Sequence, residues 1–536
     1  MSTAGTTVRR ATLTALALAL GLAFLAQLYI DPSLPNVACA IVVVTSTILM
    51  LLYLEFTDAM DRQPLSTLVL LGFCTTTQFG ALLAQSLAGT ALSASLRQPI
   101  ETFSTLAAYQ LLALAVHAVY RLFANRTDRV SLVRHSLQLV GLYSTPKVPT
   151  LWIMGALGCV SYFFSRSVIY TSDGSAGGGV LGAVASSFNF LISAPFLIPL
   201  YMKLQGPGYC RPRWVYPGLV VYALLAVTLA LLRNARVIMF VGVATVGFGY
   251  LLVCLQSRAP LKPGMRRRII LAVIALAVVA APLSDLATAM AIARPARTKA
   301  SGTAMLAKTI EVWRKPYLIQ QYRDRQSHAG LFSAYDESYI ANPLFARLVE
   351  TKFHDNALYF AKSLDTSAST EKLQKVTADF LWSTLPTPIL QRLGVRIDKD
   401  DLNFSMGDYL AYLSRGVPLG GRKTGSIFAQ GQAVFGALFP FVYALLCLVL
   451  FKWMDLLCAR RSAGSSFPVT VALLTSWQLV HLLAPESLHQ VCLAIVRGIP
   501  QDIAVYALVS LLARVLTGSG SERRKEVALP SGQVPA

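Results

Sequence analysis

The sequence has little charge. Only 14% of its 536 residues are charged and 55% are hydrophobic, whereas about 25% of the residues in a soluble domain are charged. The mean hydropathy is correspondingly high, at +0.56. This composition excludes an ordinary soluble enzyme and is typical of a protein with many membrane spans.

Acidic residues are especially scarce. The chain has 26 Asp and Glu against 47 Lys and Arg, which gives a formal net charge of +21. A nucleic-acid-binding protein gathers positive charge into a patch or a tail, but here the basic residues are divided among short loops between apolar runs. That distribution is how the orientation of membrane spans is encoded. We therefore expect no nucleic acid among the partners.

Motifs for nucleotide, metal or serine-hydrolase chemistry are missing. The sequence contains no Walker loop, no GxGxxG after a strand, no HExxH and no GxSxG. The acidic run at 398–401 lacks the glycine and the terminal glutamate of a calcium-binding loop. None of the 8 cysteines has the spacing of a metal site. We therefore predict no metal and no cofactor.

Long apolar runs recur along the chain, and a helix of about 20 residues crosses the hydrocarbon core of a bilayer. The fold class that we predict is an all-α polytopic membrane protein with about twelve transmembrane helices. The predicted spans lie near 11–30, 37–54, 66–91, 103–123, 151–170, 178–200, 214–232, 236–254, 268–293, 428–451, 467–483 and 490–516. Arg497, Pro500 and Asp502 interrupt the last of them.

One long hydrophilic segment divides these spans. We predict a membrane domain of nine spans at 1–293, a mostly helical loop domain at 294–427, three further spans at 428–516 and a disordered tail at 517–536. Loops rich in Lys and Arg stay in the cytoplasm. That rule places both termini and the tail in the cytoplasm, and the segment 294–427, here called the insert, on the outer face.

Several basic residues on the predicted outer face run against this charge bias. Arg233 and Arg236 occupy a tight turn between two spans, and Arg415, Arg422 and Lys423 lie in a glycine-rich stretch before the tenth span. Guanidinium groups bind phosphate through paired hydrogen bonds, and glycine-rich loops let backbone N–H groups approach it. We hypothesise that the four arginines converge on one outer pocket. Side chains that snorkel to the interface or attract anionic lipids give the same pattern.

Other residues of this face are candidates for acid–base chemistry or sugar binding. His354 and Asp355 are adjacent in the insert, and either type of side chain can act as a base toward a sugar hydroxyl. Basic groups and aromatic rings that could contact a lipid-linked sugar are Arg166, Tyr339, Arg347, Tyr359 and Tyr409. Solvated surface charges and interfacial aromatic belts account for such residues as well.

Three stretches, together with the layout of the chain, carry a family resemblance. The turn RNAR at 233–236 opens a span on the outer face, and the large insert comes late in the chain. The insert contains YIANPLFARLVETKFHDNAL at 339–358, and the chain leaves it through GRKTGSIFAQGQAVFGALFP at 421–440. These features resemble the Asn-Pro-Leu…Arg stretch and the Gly-Ser…Phe-Gly return of the O-antigen and exopolysaccharide polymerases of the Wzy type.

The resemblance implies a glycosyltransferase of the bacterial inner membrane whose insert is periplasmic. A glycan on undecaprenyl diphosphate would be transferred to the sugar of another lipid-linked repeat unit, and surface polysaccharide would be polymerised. By position, Arg233 and Arg236 match outer-loop arginines of the family, and Arg415 and Arg422 match those of its large loop. Their role would be to stabilise the departing diphosphate. The implied partners are undecaprenyl-diphosphate-linked oligosaccharides, membrane lipids, a chain-length regulator and a flippase.

Other functions remain open at this stage. A ligase of the same architecture would move the glycan to a lipid core, and no residue separates it from a polymerase. A carrier or flippase for lipid-linked sugars is an alternative of another class, although such proteins usually show repeated halves, which we do not find. A membrane subunit with no site of its own is the third.

Overall fold

The computed structural model describes residues 7–124, 132–165, 169–170, 176–177, 180–206, 208–210, 212–260, 264, 267, 282–296, 301–329, 349–364, 367–461 and 465–517. Within them almost all regular structure is helical. The helices of the first half are α1 Val8–Ile30, α2 Leu34–Phe56, α3 Ala59–Arg62, α4 Pro64–Cys74, α5 Gly80–Ala88, α6 Pro99–Ala124, α7 Leu132–Leu139, α8 Val148–Phe164, α9 Val180–Ser186, α10 Ile198–Gln205, α11 Pro212–Arg233, α12 Arg236–Gln256 and α13, described over 282–293.

The second half continues the helical pattern. Its helices are α14 Gly302–Trp313, α15 Pro316–Ala329, α16 Thr351–Lys362, α17 Ser367–Ser383, α18 Thr387–Arg392, α19 Met406–Arg415, α20 Ile427–Phe435, α21 Phe439–Leu456, α22 Thr470–Leu474, α23 Ser476–Leu479, α24 Leu488–Leu493 and α25 Ile499–Leu516. Two short antiparallel pairs are the described strands, β1 Ile169–Tyr170 with β2 Ala176–Gly177, and β3 Cys458–Arg460 with β4 Ser466–Pro468. The described part of the insert is thus helical.

Nine helical segments in the described ranges are long and apolar enough to cross a membrane, and each coincides with a predicted span. They are Val8–Ile30, Leu34–Phe56, Pro64–Ala88, Pro99–Ala124, Val184–Gln205, Arg213–Arg233, Ile238–Gln256, Ile427–Leu456 and Leu488–Leu516. The predicted class, an all-α polytopic membrane protein, is confirmed. The total of twelve spans and the side on which the insert lies stay predictions.

The remaining predicted spans differ from these nine. The span at 151–170 is α8, an apolar helix of only 17 residues. The span at 268–293 and the tail at 517–536 fall largely outside the described residues. The span at 467–483 is not one helix: α22 and α23 have 5 and 4 residues, and turns follow at 480–483.

The segment 469–487, here called the broken segment, runs through the interior of the bundle. Its backbone groups find partners within the protein, which is the condition for irregular chain at membrane depth. Thr475 Oγ1 donates to Val471 O at 2.9 Å, and Tyr443 of α21 donates through its hydroxyl to Leu483 O at 2.7 Å. Hydrogen bonds of this kind let the chain depart from a regular helix inside the bundle.

A π-helical turn, Thr75–Phe79, joins α4 to α5 in the third span. The insert attaches there: Glu350 N–H donates to Thr76 O, and Thr351 Oγ1 donates to Thr77 O, each at 2.9 Å. A Cβ atom on Gly80 would collide with Thr75 O, so the residue after the turn must be glycine for the chain to close up. Such single π turns within α-helices are frequent at functional sites.

The two ends of the bundle differ in their polar contacts. At the end away from the insert, ion pairs join neighbouring spans: Asp61 lies 3.3 Å from Arg9 and 2.7 Å from Arg258, and Asp58 pairs with Arg121. At the other end, here called the insert end, α16 packs on α6 and α20, α17 packs on α20, and α19 packs on α16 and α17. The insert therefore closes one end of the bundle.

Gly72 tests the packing of the broken segment. A Cβ atom on Gly72 would lie 2.5 Å from Val480 O, so Gly72→Val should push the third span away from the broken segment. Overpacking of this kind destabilises by about 1–3 kcal/mol. We expect a clear fall in the thermal unfolding temperature of the detergent-solubilised protein. Gly21→Val is the matched control, because a Cβ on Gly21 has nothing within 4 Å; equal melting of the two variants would contradict the packing described here.

Candidate functional site

Helix α16 fixes the insert to the bundle through a buried carboxylate. Asp355 is 0% exposed and accepts hydrogen bonds from the backbone N–H groups of Arg97 (2.8 Å) and Gln98 (3.0 Å) and from Thr102 Oγ1 (3.0 Å). These groups lie at the start of α6, where the helix dipole favours a negative charge. The Lys352 ammonium lies 3.5 Å from the same carboxylate. Asp355 is therefore a structural residue, and both of its carboxylate oxygens already accept hydrogen bonds within the protein.

Two arginines meet on the ring of Tyr359, one turn further along α16. The guanidinium carbon of Arg97 lies 4.7 Å from the ring centroid, and that of Arg415 lies 5.6 Å from it. Arg415 also donates from Nη2 to the Tyr359 hydroxyl at 2.5 Å. Both arginines are exposed, and Tyr359 is half-buried. The structure thus places two accessible cations beside one aromatic ring at the insert end.

The glycine-rich loop after α19 is organised by a second buried carboxylate. Asp408, 0% exposed, accepts from the backbone N–H groups of Arg422 (2.7 Å) and Lys423 (3.1 Å), and the Lys423 ammonium lies 3.4 Å away. These two amides are used inside the protein and are not open to a phosphate. The side chain of Arg422, however, is exposed, and its φ of 53° holds it in a left-handed turn.

His354 is buried in a way that does not suit a general base. Its Nδ1 lies 2.8 Å from Ser426 Oγ at the start of α20, and its ring lies 5.3 Å from that of Phe428. Burial lowers the pKa of His354 to about 4, so the ring is neutral at neutral pH. With 2% of the residue exposed, it cannot reach a sugar hydroxyl at the surface. The candidate pair of His354 and Asp355 is thus part of the packing.

Tyr409 is also unavailable to a sugar. Its ring stacks on Phe404 with centroids 5.2 Å apart, and only 8% of the residue is exposed. Tyr412, three residues later on α19, is 46% exposed. Because positions three apart lie on one side of a helix, Tyr412 and Arg415 share a face.

The side chain of Arg233 makes structural contacts with the end of α8. It donates to Tyr162 O at 2.6 Å and to Ser165 O at 3.1 Å, and its guanidinium lies 4.2 Å from the Tyr162 ring. It therefore satisfies carbonyls at the end of α8. Among the described side chains Arg233 has no contact with Arg415, and the side chain of Arg236 is not described, so the convergence of the four arginines on one pocket stays a prediction.

Several predicted site residues cannot be placed. Those outside the described residues are Arg166, Tyr339 and Arg347, and the side chain of Arg236 is likewise not described. Arg97 is the residue that sequence reasoning missed. Its signal is an arginine two residues before Pro99, the first residue of a span, in a connection that is otherwise poor in positive charge. In the described part of the chain, no group of three or more His, Cys, Asp or Glu could hold a metal ion.

The cationic site formed by Arg97, Tyr359 and Arg415 suits an anion with several oxygens. Like charges beside one ring repel each other, and a bound anion would remove that repulsion. Guanidinium forks match the geometry of phosphate oxygens. Among the described residues, no carboxylate forms an ion pair with Arg415. This site lies on an all-α polytopic membrane protein, at the end of the bundle covered by the insert.

The comparisons with known proteins are negative. No family model matches the chain, and no curated protein and no solved structure shows a significant match to it. The description of the chain as an all-α polytopic membrane protein therefore rests on its sequence and its structure.

Removing the Asp355 carboxylate tests its structural role. Asp355→Ala removes the acceptor of the N–H groups before α6 and the carboxylate partner of the Lys352 ammonium, which keeps its hydrogen bond to Ser95 O. Breaking one side of a buried pair costs about 3–5 kcal/mol. We expect a marked loss of thermal stability in detergent, measured by fluorescence-detected size exclusion after heating. Asp401→Ala, at an exposed carboxylate of the same insert, should melt like the wild type. A stable Asp355→Ala protein would contradict the assignment.

Proposed function

We propose that the protein is a membrane glycosyltransferase that polymerises oligosaccharide repeat units linked to undecaprenyl diphosphate, at the periplasmic face of a bacterial inner membrane. The observation that carries this proposal is the cationic site, in which Arg97 and Arg415 flank Tyr359. The site is exposed and lies where the insert meets the spans. A lipid diphosphate in the adjacent leaflet would present its charge at this level.

The reaction needs stabilisation of a leaving group. The acceptor hydroxyl oxygen forms a bond to the anomeric carbon of the donor, the bond from that carbon to the diphosphate oxygen breaks, and the hydroxyl proton is released. Negative charge grows on the departing undecaprenyl diphosphate. Fixed guanidinium groups aimed at that charge lower the barrier without reorganising. Arg97 and Arg415 are held by the same ring and suit this role, and no nucleotide or metal is required.

Exposed aromatic rings near the cations suit a sugar. Tyr412 shares the face of α19 that carries Arg415 and is 46% exposed. Aromatic faces pack well against the apolar faces of sugar rings, because burial of apolar surface is favourable. Arg422 is exposed on the neighbouring loop and could reach a second phosphate or an acidic sugar. The proposal also carries the expectation that the protein works with a chain-length regulator and a flippase. It does not specify the sugars of the repeat unit.

A carrier of lipid-linked sugars is the second candidate, because one observation favours it. The broken segment and two π turns, Thr75–Phe79 and Ala494–Gly498, interrupt the spans. Interrupted helices at membrane depth are typical of secondary transporters. A ligase uses the same leaving group and differs only in its acceptor. The experiment below separates a transferase from a carrier, since a carrier forms no new glycosidic bond.

The arginines of the cationic site provide the test. We expect Arg97→Ala and Arg415→Ala each to lower the transfer rate by about 10²-fold, the typical loss of one transition-state donor, and the double variant to form no polymer. The wild-type protein in nanodiscs would be given lipid-linked oligosaccharide extracted from its host, and product length would be read on a gel. Arg415→Lys should recover only part of the rate, because lysine keeps the charge and loses the fork.

Arg392→Ala is the matched control, an exposed arginine of α18 in the same insert. It should retain the wild-type rate, and thermal melting should show that all variants are folded. Polymer formed at the wild-type rate by the double variant would refute the proposed site. A wild-type protein that moves the lipid-linked glycan across the bilayer and lengthens nothing would favour the carrier.

A further inference from the structure

A cavity of about 220 Å³ opens between the third span, α12 and the broken segment. Its wall is formed by side chains from these elements and from the residue before Glu350. Among them are Thr76, Ala84, Val349, Leu251, Trp477 and His481. Most of the other lining residues are leucine, glycine, phenylalanine or valine.

The wall is suited to hydrocarbon. Apolar cavities of about 150 Å³ in proteins stay dry and bind small hydrocarbons, and this one is larger. It runs beside the segment Pro64–Ala88, which is long and apolar enough to cross a membrane. A hydrocarbon chain that enters such a cavity gains the packing contacts that an empty wall lacks.

Backbone features shape the cavity. The π turn Thr75–Phe79 and the broken segment both contribute to its wall. Nδ1 of His481 lies 3.0 Å from Oε1 of Glu350, and this contact fixes the broken segment to the start of α16. The Thr76 hydroxyl has no hydrogen-bond partner within the described residues, and Thr76 is 6% exposed. The wall thus combines a wide apolar surface with one polar edge at Thr76 and His481.

Helix α16 connects this cavity to the cationic site. Its first turn is bonded to the π turn through Thr351, and Tyr359 lies eight residues later. At 1.5 Å per residue the rise between them is about 12 Å. Lys362 of α16 pairs with Glu101 at the start of α6, at 2.8 Å, so α16 rises from the cavity toward the insert end. The cationic site, which suits a charged head group, and the cavity, which suits a hydrocarbon chain, therefore lie at the two ends of α16.

We infer that the cavity binds the isoprenoid chain of a polyprenyl phosphate whose phosphates lie at the cationic site. This inference deepens the proposed function, since it assigns the lipid part of the same substrate. Charge complementarity selects the occupant: two guanidinium groups at Tyr359 favour a head group with two phosphates over one with a single phosphate.

Photo-crosslinking tests the inference without any transfer reaction. Undecaprenyl diphosphate with a diazirine in its first isoprene units would be added to the wild-type protein in nanodiscs, and the labelled peptides identified by mass spectrometry. We expect labels on Trp477 and on residues 79–84 of the third span. Unlabelled undecaprenyl diphosphate should compete for these sites, and dioleoyl phosphatidylglycerol should not.

Filling the cavity provides the matched variants. Ala84→Leu and Leu251→Trp place extra volume in the wall and should lower labelling about tenfold, equivalent to about 1.4 kcal/mol. Leu224→Trp, at a residue of α11 that is 64% exposed, should label like the wild type. Thermal melting identifies a filled variant that does not fold, and the label positions in the wild type then decide the question.

Labels confined to other surfaces, or equal competition by phosphatidylglycerol, would overturn the inference. The crosslinking result and the polymer-formation result can be distinguished, because either can fail while the other holds. Labelling of the cavity with full polymer formation by the double variant of Arg97 and Arg415 would preserve the lipid site and refute the catalytic one. Loss of polymer in that variant with no label in the cavity would do the reverse.

Discussion

The structure depends on one constraint: backbone polar groups at membrane depth must find partners inside the protein. Regular spans meet it within a single helix. The broken segment and the π turn Thr75–Phe79 meet it through neighbours, since Tyr443 bonds to Leu483 O, and Glu350 and Thr351 bond to the carbonyls of the π turn. The irregular chain is thereby tied to particular partners. For this reason the bundle has a defined interior into which the insert must fit.

The insert meets the same constraint with buried carboxylates. Asp355 binds N–H groups before α6, and Asp408 binds those of the glycine-rich loop. Each carboxylate is accompanied by a lysine ammonium within 3.5 Å, which compensates its burial. These contacts fix the connection that carries Arg97 and the loop that carries Arg422. The exposed cations are thus held in place by groups that never reach the surface.

The sequence predicts the features that leave a local pattern of residues, and it misses those that depend on contacts between residues far apart in the chain. Long apolar runs indicate membrane spans directly, so the nine candidate spans in the described ranges coincide with predicted ones. The break at 469–487 was missed because hydropathy does not distinguish a helix in lipid from an irregular segment enclosed by other helices. Arg415 and Arg422 were singled out by charge and glycine content. Arg97 was missed because its contact with Tyr359 joins residues far apart in sequence. Arg233 was assigned to the site from a local pattern, which does not show that its side chain donates to carbonyls of α8.

Two features support the proposal that the cationic site binds a ligand. A lone arginine at a helix end is explained by snorkelling, but two guanidinium groups that share the Tyr359 ring repel each other and have been brought together by a distant connection and by α19. Cation–π contact offsets part of that repulsion. A multiply charged anion bound between them would relieve more of it. Two neighbouring cations at the insert end and an apolar cavity at the other end of α16 have the polarity that the proposed lipid phosphate would require.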